Sequence, residues 1–451
     1  MRDKLASELY RSVGVPTYSG AYARVIINDD VWGLYALVDT IGGKWLASMV
    51  HGNEDAHIGY QYKMYSSTPN GPFASLRYLG EDPKKYENSG SYEADEIDKD
   101  DTEATNNFYR LARFTKMFED WVNTYENDQS KAAVDALEKF FDLESLLRQM
   151  SVEALTVAYD NFWAQTGNYA VYYNPETTRY QIIPYDFDGS FYGSNGSQYY
   201  ASDYITDCIT WADNTPVDKY FVSNILKHDI IKERYQKILG TVVNKVFNVN
   251  SISPFIDSVS NLIKEDVEWN FELIDDLDPA VPGNVNHFTI ENFEDNTNYK
   301  HVGYNAEVSY NDAHYGIKQW VQTRGGYCKA YVEEVLGSDA SAAEYVPEQP
   351  VVQTVTQTVV AQPLVQNVAQ NVAQPVVQTV AQTVAQTITR VPKTTTTTTK
   401  KTTTVPKVTT TTTTQKRKIS TKSKTTTTRA RVTKKVTVKK VVTVTKYVVK
   451  N

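Results

Sequence analysis

Cysteine is scarce. Cys208 and Cys328 are the only two in 451 residues. They allow one pair and exclude any reading of a redox compartment from cysteine usage. Long apolar runs are missing too: none approaches the roughly 18 residues of a membrane-spanning helix. The start has no h-region of a secretory signal, because Met1-Arg2-Asp3-Lys4 leads straight into the amphipathic stretch Leu5–Tyr10. Acidic residues are absent from 351–451, which hold 18 Lys+Arg. The first 350 residues carry 28 Lys+Arg against 54 Asp+Glu, a net charge of −26 that the overall −8 conceals. Phosphate backbones are repelled by such a surface, which argues against nucleic-acid binding there.

The first 340 residues or so suffice to bury one large core or two smaller ones. Leu5, Leu9 and Val13 have helical spacing, and Gly14 and Pro16 end that helix. Two β-rich runs flank Asn28-Asp29-Asp30 and predict a hairpin over Ala21–Asp39. Residues 81–106 are acidic and polar and read as a long surface loop. Phe108–Tyr125 has helical spacing, and Asp142 caps a second helix that presents Leu143, Leu146, Leu147, Met150, Ala154 and Leu155. Strands are predicted over Asn168–Tyr173 and Tyr180–Pro184. Ser253-Pro254 reads as a helix start with proline at the first position. A further helix around Ile317–Tyr331 ends the folded part near Gly337. Beyond it, Val/Gln/Ala-rich repeats and Thr runs offer no aromatic core or periodic apolar face, so this segment is expected to be disordered.

Chemistry concentrates between Tyr159 and Gly193. A helix ends at Asp160, Asn168 follows a short polar loop, and a β-hairpin delivers Asp186 and Asp188 just beyond Ile182-Ile183. Phosphoryl transfer needs such a layout. One carboxylate orients or accepts a proton from the attacking hydroxyl, while an amide oxygen and a further carboxylate hold Mg²⁺ against the phosphates. Each residue alone has an ordinary structural use, in a helix end, a turn or a strand end; their order and proximity carry the inference. Asp186-Phe187-Asp188-Gly189-Ser190 also fits the first motif of haloacid-dehalogenase-type phosphatases, with Asp186 as nucleophile. That motif normally opens its domain, and here a long segment precedes it.

Met1–Ala6, Gly14-Val15-Pro16, the run YARVIINDDVWGLYALVD, Tyr62-Lys63, Leu76-Arg77-Tyr78-Leu79-Gly80, the run IIPYDFDGSFYG and Gly316-Ile317-Lys318-Gln319-Trp320 together resemble the CotH (spore-coat protein H) kinase family, over about residues 1–335. Members occur in bacterial spore coats and on the surfaces of some fungi. The resemblance implies an α+β, atypical protein-kinase-like fold with an incomplete N-terminal lobe. It implies ATP with Mg²⁺ or Mn²⁺ as cofactors. Asp160 matches the catalytic aspartate, Asn168 the metal-binding asparagine, and Asp186 with Asp188 the metal-binding acids. The Asp160–Asn168 spacing exceeds the usual one, which makes Asn161 the alternative. Lys63 is the candidate phosphate contact.

A kinase places a glycine-rich loop and a lysine strand before its first lobe helix, and both are expected upstream of Met1. The expected organisation is a CotH kinase-like domain over 1–337, a linker over 338–393 and a Thr/Lys-rich tail over 394–451. The expected partner is a protein substrate rich in Ser/Thr, the tail's own Thr409–Thr414 and Thr425–Thr428 included. Opposite charge holds such a tail near the acidic part at low salt. The alternative function is a catalytically degenerate cell-surface adhesion or coat protein. Thr-rich runs resemble O-glycosylated stalks and the Asn195-Gly196-Ser197 sequon is present, so an extracellular or cell-wall setting is expected. The basic tail around Lys416-Arg417-Lys418 makes the nucleus the alternative.

Overall fold

In the computed structural model the described residues are 1–28, 30–67, 70–191, 203–213, 215–275, 289–300 and 315–337. The linker over 338–393, the tail over 394–451 and the Asn195 sequon lie outside them. Among the described residues no helix is long and apolar enough to cross a membrane.

The chain opens with α1 (Arg2–Ser12), which buries Leu5, Leu9 and Tyr10. Gly14 ends it with φ +80, and a Cβ there would lie 2.8 Å from a guanidinium nitrogen of Arg148. The predicted hairpin forms as β1 (Gly20–Ile27) and β2 (Asp30–Val38), a two-stranded antiparallel sheet. Next come α2 (Gly43–Met49) and β3 (Gln61–Met64).

The stretch read as a surface loop over 81–106 instead contains α3 (Pro83–Glu87) and β4 (Tyr92–Glu96). Asp82 caps α3 by accepting the Lys84 N–H, with Pro83 at the first helical position. Buried Tyr86 then fastens α3 by hydrogen bonding to Thr115 at 2.9 Å. Few apolar residues mark this segment, so tertiary contact decides it.

Helices α4 (Tyr109–Tyr125), α5 (Lys131–Glu138) and α6 (Leu143–Thr156) follow. Asp142 caps α6, accepting the Ser145 N–H at 3.1 Å as its sequence indicates. Every residue of α6 except Glu144 is buried. A short α7 (Phe162–Gln165) leads into β5 (Tyr169–Asn174) and β6 (Arg179–Pro184). The second sheet has the order β4-β3-β5-β6, all antiparallel. It therefore draws strands from both sides of α4–α6, rather than lying wholly in a lobe that precedes the helices.

The remaining helices are α8 (Asp203–Thr206), α9 (Tyr220–Ile225), α10 (Asp229–Lys245), α11 (Val249–Asp275), α12 (Ile290–Asn296) and α13 (Ile317–Leu336). Pro254 lies inside α11 rather than at its start. Asn248 closes the first turn, its side chain and backbone oxygens both accepting the Ser251 N–H and its backbone oxygen that of Ile252. The helix thus begins upstream of the proline. Helix α6 forms the axis of the core, packing on α1, α10, α13 and β6.

Cys208 and Cys328 are joined in a disulfide across 120 residues, fixing α13 to the chain beyond α8. Cross-links over loops of this length contribute about 2–5 kcal/mol. Cys328→Ser is therefore expected to lower urea-unfolding stability by that amount, and reductant should do the same to the wild type. Equal midpoints for all three conditions would contradict the expectation.

Candidate active site

A helix leaves its last four carbonyls without helical partners, and at the end of α6 those groups organise the site. The Glu153 oxygen accepts the Ala158 N–H at 3.0 Å. The Ala154 oxygen accepts two N–H groups from fully buried Arg324, at 2.9 and 2.8 Å. The Leu155 oxygen accepts the Trp320 indole N–H at 2.9 Å. The Thr156 oxygen accepts the Phe191 N–H at 2.6 Å. One helix end thus joins the following loop, the last helix and the turn after β6.

Asp160 lies four residues beyond α6, past a left-handed Val157 (φ +46) that turns the chain off the helix axis. Its Oδ2 accepts the Asn168 side-chain N–H at 3.0 Å. Its Oδ1 is shut off from solvent and has no hydrogen-bond partner among the described residues. A Cβ on Gly189 would fall 2.5 Å from that Oδ1. Only glycine lets the acidic turn lie directly against Asp160.

In that turn Asp186 and Asp188 are exposed and Phe187 between them is buried. The Phe187 ring stacks on Tyr10 at 4.5 Å and on Tyr18 at 5.3 Å. Its N–H is accepted by Asp3 at 3.2 Å, and Arg2 donates to the Phe191 oxygen at 2.7 Å. The first residues of α1 therefore brace both ends of the turn. Asp186 itself is left-handed, with φ +58, a conformation that costs a non-glycine residue on the order of 1–3 kcal/mol. Buried Asn161 holds it there. Its amide nitrogen donates to the backbone oxygens of Tyr185 (2.9 Å), Asp186 (3.3 Å) and Asn168 (3.3 Å). Asn161 thus clamps the backbone, while the side chain of Asn168 faces Asp160.

The structure sets Asn168 against Asp160 and lays the turn that bears Asp186 and Asp188 beside them. Lys63 instead pairs across the sheet with Asp95 at 3.0 Å, half-exposed on β3.

Burial pushes Asp160 up to about 7, and repulsion from Asp188 and then Asp186 adds to the rise. Partial desolvation against the protein, then Asp188 and Asp3, likewise raise Asp186. Asp160, Asp186 and Asp188 do not all bring a ligand oxygen within 4.8 Å of one another, whereas among the described residues His57, Asp98 and Asp100 do.

Glu153, on the buried face of α6, was not legible as a site residue. Its Oε1 accepts the Gln149 side-chain N–H and its Oε2 the Trp163 N–H, both at 2.8 Å. Burial pushes its carboxyl up to about 7 against the pull of these bonds. The folded state holds this proton more tightly than the unfolded chain, whose Glu titrates near 4.3. The resulting stability is full below about pH 4.3 and lost as pH rises through about 7. Glu153→Gln should remove that dependence, which amounts to about 4 kcal/mol at most. Melting temperatures at pH 5 and pH 8 check it: the wild type should fall further than the variant, and equal falls would contradict it.

A family model described as CotH kinase protein matches residues 1–328. Among curated proteins, the chain is 23% identical to a spore coat protein homolog 1 of Rhizopus delemar over 78% of this chain and 52% of that one. It is 22% identical to an invasin CotH7 of the same fungus, over 64% of this chain and 44% of the relative. With an inner spore coat protein H of Bacillus subtilis it shares 23% identity, over 58% and 64% respectively. The chain spans about half the length of the fungal relatives. With a family model covering well over half of its length, the chain belongs to the CotH kinase protein family.

Proposed function

We propose that this chain is an ATP-dependent protein kinase acting on Ser/Thr-rich coat or surface proteins. The observation that carries the proposal is the seating of the Asp186–Gly189 turn directly on the unpartnered Oδ1 of Asp160, beside Asn168. Phosphoryl transfer requires little covalent chemistry from a protein and much positioning and charge stabilisation. A bound Mg²⁺ or Mn²⁺ would supply neutralisation of phosphate charge. Asp186, Asp188 and Asn168 are the residues to hold it, and Lys63 is the residue proposed to contact phosphate. Asp160 orients the substrate hydroxyl and takes its proton as the hydroxyl oxygen bonds to the γ-phosphorus and the bond to ADP breaks. A carboxyl near 7 suits that task, because a base works best with its pKa near the working pH.

The kinase-like fold belongs to the same proposal. It is supported by the order helix, Asp160 loop, hairpin, acidic turn, which parallels the catalytic-loop and metal-binding order of kinases. The names of the relatives, spore coat proteins and invasins, support a coat or surface setting. The invasin names also support a second function, a surface-binding module without turnover. Incubation with γ-labelled ATP, Mg²⁺ or Mn²⁺ and a Ser/Thr-rich protein separates the two. The kinase yields metal-dependent phosphoserine or phosphothreonine. Nucleotide-independent host-surface binding with no label transferred would favour the module.

A further inference from the structure

Residues 157–166 carry Asp160 through a loop with two left-handed residues, Val157 and Thr166, and no sheet pairing. Left alone, such a segment would sample many conformations. One residue meets it at both ends. The backbone oxygen of Glu153 accepts the Ala158 N–H at 3.0 Å. The side-chain Oε2 of the same residue accepts the Trp163 N–H at 2.8 Å, where α7 begins and its first N–H groups lack helical partners. Asn161, at the cap position of α7, supplies no side-chain cap: its amide nitrogen donates to the backbone of the acidic turn, and its Oδ1 accepts nothing among the described residues.

We infer that Glu153 is a positioning residue that fastens both ends of the Asp160 loop. It is fully buried, so its anchor is not weakened by water. Gln149, one turn earlier, fixes the other carboxyl oxygen. The effect on turnover rests on the proposed phosphoryl transfer; the fastening of the loop does not.

The full chain tests this with three variants. Glu153→Leu keeps the volume and removes the acceptor. Glu153→Asp keeps the carboxylate but shortens its reach by a methylene, and carries the test should the leucine variant fail to fold. Glu153→Gln keeps an acceptor for Trp163, and its new N–H₂ replaces the oxygen that accepts from Gln149, whose amide turns over to present its Oε1, buried without a partner among the described residues. Amide hydrogen exchange read by mass spectrometry should show peptides within 157–166 exchanging about tenfold or more faster in the Leu and Asp variants, with α10 unchanged. The Gln variant should keep wild-type protection. Turnover in the Leu and Asp variants should drop about 10²-fold at unchanged Mg·ATP affinity, as expected of a displaced catalytic group. Unchanged exchange over 157–166 in both, or loss of protection in Gln equal to that in Leu, would overturn the inference. A wild type that transfers no phosphate would count against the kinase function alone, and the exchange result would still decide on Glu153.

Discussion

Asp160→Asn is expected to lower phosphoryl transfer about 10³-fold while leaving Mg·ATP affinity within a few-fold of the wild type. That loss corresponds to about 4 kcal/mol of transition-state stabilisation. The substitution keeps the shape and the contact with Asn168, and it removes the proton acceptor. It also removes a charge that burial and two neighbouring carboxylates disfavour. The variant should therefore be more stable than the wild type at pH 8, by on the order of 1 kcal/mol. Loss of activity joined to a gain in stability distinguishes a strained functional carboxylate from a structural one. Steady-state kinetics and a thermal melt on one preparation read both. A destabilised Asp160→Asn with normal turnover would show that Asp160 serves the fold.

Arg324→Met should cost about 3–5 kcal/mol of folding stability. The guanidinium is wholly buried and makes three hydrogen bonds, two to Ala154 and one to the Ile205 oxygen at 2.9 Å. Burial lowers its pKa only to about 10, so it stays protonated at neutral pH. Its positive charge sits at the C-terminal end of α6, where a helix favours a cation. Methionine fills the volume and strands both carbonyls. Arg324→Lys keeps the charge but lacks the fork that spans the two carbonyls, and should fall between wild type and Met. Urea unfolding measures the order. A loss below about 1 kcal/mol for Met would show that the end of α6 is held by other means.

Local chemistry made much of this legible. Asp142 reads as a cap and is one. The β5–β6 hairpin follows from its apolar runs and the Asn174-Pro175 turn, and its end marks Asp186 and Asp188. What escaped is what tertiary contact decides. Glu153 and Arg324 are charged residues at helical positions, which ordinarily face water. The burial of Arg324 depends on helix α13 lying against the end of α6, 170 residues away in sequence for the Arg324–Ala154 contact, and Glu153 is enclosed with Gln149 and the Trp163 backbone as its partners. The role of Asn161 escaped for a related reason. Its spacing makes it eligible as a metal ligand, but the turn after β6 brings three backbone carbonyls to its amide. Segment 81–106 has too few apolar residues to show a period, although Asp82-Pro83 is a legible helix start.

Mg·ATP binding to the wild type and to Asp186→Ala, followed by titration calorimetry with and without divalent cation, tests the shared site most directly. The wild type should bind ATP only when the cation is present, and Asp186→Ala should lose at least about tenfold in affinity, or 1.4 kcal/mol. Metal-independent binding, or equal affinity in the two proteins, would contradict a site in which Asp186 holds the cation beside Asp160.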